Sequence, residues 1–361
     1  MTLPTPLDLR WLAAADRMAR PFVGTTGKNP TVGAIVVDPK SGQVLGRGVT
    51  APGGRPHAEP IAIAEAGDRV RGATLYVTLE PCHHEGPRRP CVETVAASGI
   101  GRVVTYMIDP DPRTSGRSME RLQQAGIETA LAAPKDVPPG LFEGFIARQK
   151  SGRPFINAKL AVSADGMIGR RGEGNVPITG EAARRFTHAL RARNEAILIG
   201  AETARLDDPL LDVRLKGLEP RSPKRWVALG SKPLPATLRL FSGQGAPAGV
   251  LVSDPTAAAG LPESVERLQV GSDLADVLSK LAGTGVQNLL VEGGASMISG
   301  LLAARLVDRF YLLENAGIVG KDGLPAVANG TIREALAEAG LAEIGRRSLG
   351  EDFVTIFERG A

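Results

Sequence analysis

Short apolar runs of strand length alternate with helically spaced segments along the whole chain, and this alternation restricts it to layered α/β architecture. In the first part, Leu9 to Arg20 carries apolar side chains at helical spacing, and Gly33 to Val37 reads as a buried strand. Asp38-Pro39 and Ser41-Gly42 turn the chain, so Gln43 to Val49 is expected to return as a hairpin partner. Helix Ala58 to Ala66, strand Ala73 to Leu79 and helix Val92 to Ser98, closed by Gly99, follow. Strand Arg102 to Ile108 and helix Ser118 to Ala125, closed by Gly126, continue the pattern. Residues 133–140 and 151–154 are rich in Pro and Gly and place a boundary near Ser151.

A second series begins with strand Phe155 to Val162, helix Gly180 to Ala192, strand Ala196 to Gly200 and strand Arg225 to Leu229. It continues with strand Gly249 to Ser253, helix Leu274 to Ala282, strand Asn288 to Glu292 and helix Ser296 to Leu306. Strand Arg309 to Glu314 and a final strand Phe353 to Glu358 close it, and the Pro/Gly-rich stretch Lys216 to Ala248 is expected to be mostly loop. The length of 361 residues exceeds what one hydrophobic core usually organises, which gives two domains, 1–150 and 151–361.

Hydrophobic residues at 43% and charged residues at 23% exclude fibrous and largely disordered chains. Two cysteines cannot build a disulfide framework. Met1 to Arg10 shows no basic stretch followed by an apolar core, and no apolar run approaches the roughly 18 residues of a membrane span. These features point to a cytoplasmic protein with no membrane partner. The formal net charge of +4 favours anionic ligands, and an aromatic content of 4% leaves few stacking platforms for nucleic acid. Small phosphorylated ligands are therefore the expected partners, with no nucleic acid. A homo-oligomer is compatible with the sequence but not specified by it.

The rare residues are concentrated. Both cysteines, Cys82 and Cys91, lie within 35 positions of His57, His83 and His84. His57-Ala58-Glu59 starts an expected helix, Pro81-Cys82 follows an expected strand, and Cys91 opens the next helix. One histidine and two thiolates leave the fourth tetrahedral position of a zinc ion open for water, the catalytic pattern. Zinc-bound water becomes a hydroxide nucleophile near neutral pH. Glu59, two residues from the histidine, is placed to carry a proton from that water to a leaving amine rather than to ligate. The H-x-E plus P-C…C arrangement is that of zinc deaminases acting on nucleobases. Two other readings stay open on the residues alone: buried structural thiols, and a closed zinc site completed by His83 or His84.

The cysteines are separated by eight residues rather than the two usual in that signature. With this spacing the segment resembles the deaminase half of the bifunctional riboflavin-biosynthesis deaminase–reductases, in which it runs P-C-S-H-x-G-x-T-P-P-C. Pro81, Cys82, His84, Gly86, Pro90 and Cys91 match, while His83, Arg88 and Arg89 stand where Ser, Thr and Pro are usual. Asn29-Pro30 and Val32-Gly33 resemble the family's N-P-x-V-G, and Asp109-Pro110, Gly116-Arg117 and Leu122 to Ile127 also match. The resemblance implies a cytidine-deaminase-like α/β/α layered domain. Its zinc ligands would be His57, Cys82 and Cys91, its catalytic residue Glu59, and Asn29 would lie in the base pocket. The extra histidines would line the pocket mouth, and Arg88 and Arg89 either meet a ribose-phosphate or are solvated.

The remaining chain lacks a G-x-G-x-x-G after any strand, so the usual dinucleotide fingerprint is missing. Instead Val291-Glu292-Gly293-Gly294 closes a strand before a helix, a place where backbone can approach a phosphate closely. Lys159-Leu160-Ala161 with Ser163-Ala164-Asp165-Gly166 resembles the same family's L-K-x-A-x-S-L-D-G. Ile178-Thr179-Gly180, Ala183-Arg184 and Leu190-Arg191-Ala192 follow its W-I-T…AR…LRA pattern. Thr203, Asp207-Asp208-Pro209-Leu210-Leu211 and Val213-Arg214 follow T-V-x-x-D-D-P-x-L-x-V-R.

The resemblance implies a dihydrofolate-reductase-like α/β domain that uses NADPH to reduce the ribosyl group of a phosphorylated aminopyrimidine. It puts Lys159, Asn175, Arg191, Leu211, Arg214 and Glu292 on substrate positions. It puts Ala161, Ile168, Pro177, Thr203, Asp207, Gly294, Ala295, Ser296, Met297, Ile298, Ser299 and Gly300 on NADPH positions. Cations suit a substrate that keeps its 5′-phosphate. On the residues alone, Arg191 also reads as a solvated helix charge and Asp207 as a turn cap before Pro209. Asn175-Val176-Pro177, Ala204-Arg205-Leu206 and Leu229-Gly230-Ser231 depart from the family pattern, which leaves open an altered or non-catalytic C-terminal domain. His188 takes no role from the sequence.

Overall fold

Gly33–Val37 (β1) is apolar at every position because both of its faces are covered. Successive side chains point to opposite faces of a strand. Ala34 and Val36 accordingly join one core layer, and Ile35 and Val37 the other. The computed structural model describes residues 1–84, 89–174, 176–243 and 245–360. The chain divides into the units Met1–Gly152 and Arg153–Ala361.

In the first unit, β1 lies in a five-stranded sheet with Val44–Val49 (β2), Thr74–Val77 (β3), Arg102–Thr105 (β4) and Glu128–Leu131 (β5), in the order β2-β1-β3-β4-β5. β1 runs antiparallel to β2 and β3, whereas β3, β4 and β5 are mutually parallel. Helix Pro6–Ala19 (α1) covers one face, placing Leu12 and Ala15 on Ile35, Tyr76 and Val104. The other face is covered by Ala58–Ala66 (α2), Cys91–Ser98 (α3) and Arg117–Gln124 (α4), with Leu75, Val77 and Val103 beneath them. This is the expected α/β/α layering. Helix Glu143–Ser151 (α5), which the Pro/Gly punctuation hid, ends the unit with Gly152 in a left-handed conformation. The first helix starts earlier than its apolar spacing indicated, because Thr5 and Asp8 form a reciprocal capping box and Pro6 occupies the first turn.

The second unit is built on a nine-stranded sheet. Its strands are Phe155–Val162 (β6), Ala196–Gly200 (β8), Lys224–Leu229 (β9), Ala248–Val252 (β10) and Glu266–Gln269 (β11). Asn288–Val291 (β12), Arg309–Glu314 (β13), Leu341–Leu349 (β15) and Asp352–Arg359 (β16) complete it. The order is β11-β10-β9-β8-β12-β6-β13-β16-β15, and Met167–Arg170 (β7) pairs separately with Gly323–Pro325 (β14). Strands β6 and β8 to β13 run parallel to one another, and β16, antiparallel to β13, and β15 close one edge. Leu274–Gly283 (α8), Ala295–Ala303 (α9) and Ile332–Glu338 (α10) pack on the face that carries Ile156, Ala158, Leu160 and Val162 of β6. Glu181–Arg191 (α6) and Ala201–Asp207 (α7) contribute to the core on the other face. Lys159 and Ala161, one residue out of phase, therefore point to the α6 side.

The sequence reading overlooked β5, α7, β7, β11, β14, α10 and β15. Most are short, and β15 is mainly solvent-exposed, so its apolar alternation is weak. As anticipated, residues 216–248 contain one long strand element, β9, among turns.

Candidate active sites in the two units

Small residues bring α2 onto the sheet. A Cβ added at Gly48 would lie 2.0 Å from the carbonyl oxygen of Ala58, and one at Gly46 2.1 Å from that of Ala62. The glycines of β2 and the Ala58, Ala62, Ala66 stripe of α2 are therefore matched surfaces, and their contact sets the start of α2. His57 is the residue before that helix, with extended backbone, and Glu59 lies in its first turn, 3% exposed. Pro60 is tolerated there because first-turn N–H groups have no helical acceptor.

The two cysteines come from later in the chain, on the sheet face that α2 covers. Cys82 follows β3, and Cys91 is the first residue of α3. The Cys91 N–H donates to Cys82 Sγ at 3.3 Å, and the Val92 N–H to the Cys82 carbonyl at 3.2 Å, so the start of α3 is folded onto Cys82. His57 Nδ1 lies 3.3 Å from Cys91 Sγ and 3.6 Å from Cys82 Sγ. A tetrahedral zinc with bonds of about 2.0–2.1 Å to nitrogen and about 2.3 Å to sulfur requires N···S separations near 3.6 Å. The three ligand atoms all lie within 4.8 Å of one another, and among the described residues no fourth His, Cys, Asp or Glu joins them.

The electrostatics call for the same cation. Hydrogen bonding from Cys91 first, against the opposing effect of burial and with His57 assisting, holds the Cys82 thiol down at about 4. The contact with that sulfur, and burial, push Cys91 up. One sulfur thus ionises readily while its neighbour resists, an opposition that a divalent ion between them would relieve, and these donors fit zinc in an open three-ligand site. Burial pushes Glu59 up to about 7, opposed by His57, which suits a group that must both take and give a proton.

His83 and His84 stay outside the ligand set: the Thr114 hydroxyl accepts the His83 backbone N–H at 3.3 Å and lies 3.4 Å from His84 Nδ1. The closed zinc site is thus not formed. Asn29 lies beside Gly54, three residues before His57; a Cβ there would come within 2.1 Å of the Asn29 amide nitrogen. Arg89 is exposed, 3.9 Å from Glu93, while Gly86 and Arg88 fall outside the described residues. A supporting residue the sequence reading missed is Glu80. Its buried carboxylate accepts N–H groups from Asp109, Gly116, Ser118 and Met119 at 2.9–3.3 Å, fixing the loop that carries Thr114.

In the second unit an open cleft with a cavity volume of ≈ 380 Å³ gathers residues from several elements. Lys159, Ala161, Ile168, Pro177, Arg191, Thr203, Asp207, Leu211, Arg214, Glu292 and Gly294 all line it. Arg191 is not a solvated charge: its Nε and Nη2 hold both Glu292 oxygens at 2.7 and 3.0 Å, and Lys159 Nζ stands 4.0 Å from the same carboxylate. Burial pulls Lys159 below its ordinary value and Glu292 resists that shift. Burial raises Glu292, but Arg191 and Lys159 outweigh it and hold the carboxylate ionised. Nor is Asp207 a turn cap. It ends α7 with its carboxyl at the cleft, raised by burial, and Asp208 takes the left-handed cap position.

The cleft also reaches the start of α9, where a cofactor phosphate would fit. Helix α9 has no side-chain cap at its N-terminus, so its first N–H groups are available to a phosphate. A Cβ at Gly294 would come within 3.4 Å of the Thr203 hydroxyl. Ala295, Ser296 and Met297 form the first turn of α9, Ile298 is buried in the core, and Ser299 and Gly300 follow; none of these lines the cleft. Asn175 lies outside the described residues, but its neighbours Val176 and Pro177 line the cleft. Arg205 of α7, which lies in one of the departures, donates to the carbonyls of Lys232 and Pro233, beyond the end of β9, at 2.6 and 3.3 Å. Arg184, Thr187 and His188, absent from the expected site, line the cleft on the same face of α6 as Arg191. Their i, i+3, i+4, i+7 spacing was the available signal.

Comparison with known proteins agrees with this arrangement. Residues 7–107 match the cytidine and deoxycytidylate deaminase zinc-binding region, and residues 154–354 the RibD C-terminal domain. The riboflavin biosynthesis protein RibD of Aquifex aeolicus is 33% identical, over 98% of this chain and 99% of its own. That of Escherichia coli is 33% identical over 87% and 89%. A crystal structure of Acinetobacter baumannii RibD superposes with a TM-score of 0.86 at 28% identity, covering 98% of this chain and 99% of that one. The diaminohydroxyphosphoribosylaminopyrimidine deaminase/5-amino-6-(5-phosphoribosylamino)uracil reductase of Thermotoga maritima does so at 0.86 and 30% identity, with the same coverage. A zinc-ligand triad in one unit, a cation-lined cleft in the other and relatives matched from end to end together make this chain a member of the RibD family of bifunctional riboflavin-biosynthesis proteins.

Proposed function

We propose that residues 1–150 deaminate a phosphorylated diaminopyrimidine and residues 151–361 reduce the product, with the side chains named above in these roles. The chain is a bifunctional enzyme, a zinc-dependent deaminase and an NADPH-dependent reductase. The substrate is diaminohydroxyphosphoribosylaminopyrimidine, and the intermediate is 5-amino-6-(5-phosphoribosylamino)uracil, by kinship with the Thermotoga enzyme. The observation that carries this reading is the His57, Cys82, Cys91 triad beside a buried Glu59, on the same chain as the Lys159, Arg191, Glu292 cleft.

His57, Cys82 and Cys91 hold the zinc, which when bound supplies a Lewis acid that lowers the pKa of water. Asn29 orients the base. Glu59 accepts a proton as water adds to the ring carbon and returns it to the amino group, which leaves as ammonia while the carbon becomes a carbonyl. Glu59 can do both because its burial excludes bulk water and keeps its affinity for a proton near neutrality.

NADPH held in the cleft would be the source of hydride for C1′ of the opened ribosylamino group. Ala161, Ile168, Pro177, Thr203, Asp207 and Gly294, with the backbone at the start of α9, would hold the cofactor; Ile298, buried in the core, would not. Lys159, Asn175, Arg191, Leu211, Arg214 and Glu292 would hold the substrate. Arg191 is largely engaged by Glu292, so Arg214, with an exposed guanidinium, is the better placed of the two to meet the 5′-phosphate. A cytoplasmic location is part of this proposal; among the described residues no helix is long and apolar enough to cross a membrane.

The test is a coupled assay. Wild type, Glu59→Gln and Lys159→Ala are given the diaminopyrimidine, and ammonia and NADPH are followed separately. Glu59→Gln should lose about 10²–10⁴-fold in ammonia release yet still oxidise NADPH when offered the uracil intermediate. Lys159→Ala should release ammonia normally and fail in reduction. Full ammonia release by Glu59→Gln would overturn the first assignment. Inability of wild type to oxidise NADPH with the intermediate would favour a non-catalytic second domain.

A further inference from the structure

We propose that His188 is a positioning residue of the reductase cleft: it clamps the Leu211–Arg214 segment to α6 and thereby sets where Arg214 meets the substrate. This rests on the reductase reading above. Leu211 lines the cleft with a φ of 55°, a left-handed conformation that a leucine adopts only when its surroundings hold it there. Asp208, three residues earlier, also has positive φ, at 38°. The segment that carries Asp207, Leu211 and Arg214 is thus held away from its preferred backbone geometry and needs external restraint.

The restraints can be traced bond by bond. Arg225 Nη1 donates to the Leu210 carbonyl at 3.2 Å, and the Val213 N–H donates to Ser222 Oγ at 2.9 Å. Arg191 Nη1 donates to the Asp212 carbonyl at 2.9 Å. His188 Nδ1 lies 3.0 Å from that same carbonyl and 3.3 Å from the Arg214 N–H. Of these four side chains, His188 reaches the backbone on both sides of Val213. It is 8% exposed, on the cleft-facing stripe of α6. Burial first, then Arg191 and Arg214, lower its pKa, so the ring is neutral at pH 7. Nδ1 then either donates to Asp212 or accepts from Arg214, and either tautomer ties the segment to α6. The Arg214 guanidinium, 2.9 Å from the Asp212 carboxylate and with an exposed side chain, is aimed by this backbone.

The test compares His188→Ala and His188→Asn in the full-length holoenzyme, using 5-amino-6-(5-phosphoribosylamino)uracil and NADPH. Losing one buried hydrogen bond to the segment should raise the KM for the uracil intermediate about tenfold. The reductase kcat, the KM for NADPH and ammonia release should stay at wild-type values. Asn, whose amide can occupy the place of Nδ1, should restore most of the KM. An unchanged KM, a parallel loss of kcat and both KM values, or no rescue by Asn would each overturn the proposal. If His188→Ala does not fold, judged by its unfolding midpoint, His188→Gln takes its place; its longer side chain should raise the KM where Asn does not, and equal values would count against the clamp. Wild type that fails to oxidise NADPH with the intermediate would instead overturn the reductase reading itself.

Discussion

Arg191 illustrates how far one residue can be read before its neighbours are known. On α6 it could have been a solvated charge; in the fold it holds Glu292 with two hydrogen bonds, and Lys159 shares that carboxylate. The three residues are 133 positions apart from first to last, so no local pattern shows that they meet. Asp8 is a similar case in the first unit. Burial alone would raise its pKa, but Arg102, Thr5 and Tyr76 outweigh burial and hold it at about 2. Arg102 supplies bonds of 2.7 and 3.0 Å, and the Tyr76 hydroxyl one of 2.9 Å. A carboxyl whose folded pKa lies below its ordinary value stabilises the fold above that value and loses this contribution as pH falls through the folded one. We predict that the urea midpoint of the first unit falls between about pH 4 and pH 2, and that Asp8→Asn flattens the slope in this window. An unchanged slope would show that the pair contributes nothing.

At the scale of elements, the deaminase site depends on how closely α2 approaches β2. Gly46 and Gly48 are buried glycines of an edge strand whose purpose is invisible until Ala58, Ala62 and Ala66 are seen to lie directly over them. Adding a methyl group at Gly48 forces α2 away from the sheet and moves His57 and Glu59 with it. Gly48→Ala should destabilise the first unit by roughly 1–3 kcal/mol and depress ammonia release, while NADPH oxidation of the uracil intermediate is spared. Wild-type deamination by this variant would mean that α2 is free to shift without harm. The long periodic elements were legible because burial on both sheet faces demands continuous apolar strands, as in β1, β6 and β8. The capping box at Thr5 and Asp8 was also written in the chain, although apolar spacing alone placed the start of α1 at Leu9. Helix α7 and strand β15 were not legible, since one is a helix of only seven residues and the other an exposed edge.

For the whole molecule, the two chemistries use separate ligand sets on separate units. Purified protein should contain about one zinc per chain. Removing it with a chelator should abolish ammonia release and leave NADPH oxidation of the supplied intermediate intact, with zinc alone restoring the first activity. Loss of both activities on chelation would show that the reductase depends on the metal. The sequence by itself determined the layered α/β class, the grouping of His57, Cys82 and Cys91, and membership of the family. Each of these rests on local features: strand and helix periodicity, and rare ligands next to element ends. Only the tertiary structure decided that Glu292 unites Lys159 and Arg191, that Arg205 reaches the chain beyond β9, and that His188 lines the cleft of the second unit. Those are contacts between residues far apart in the chain, made by the order of the strands rather than by any spacing along it.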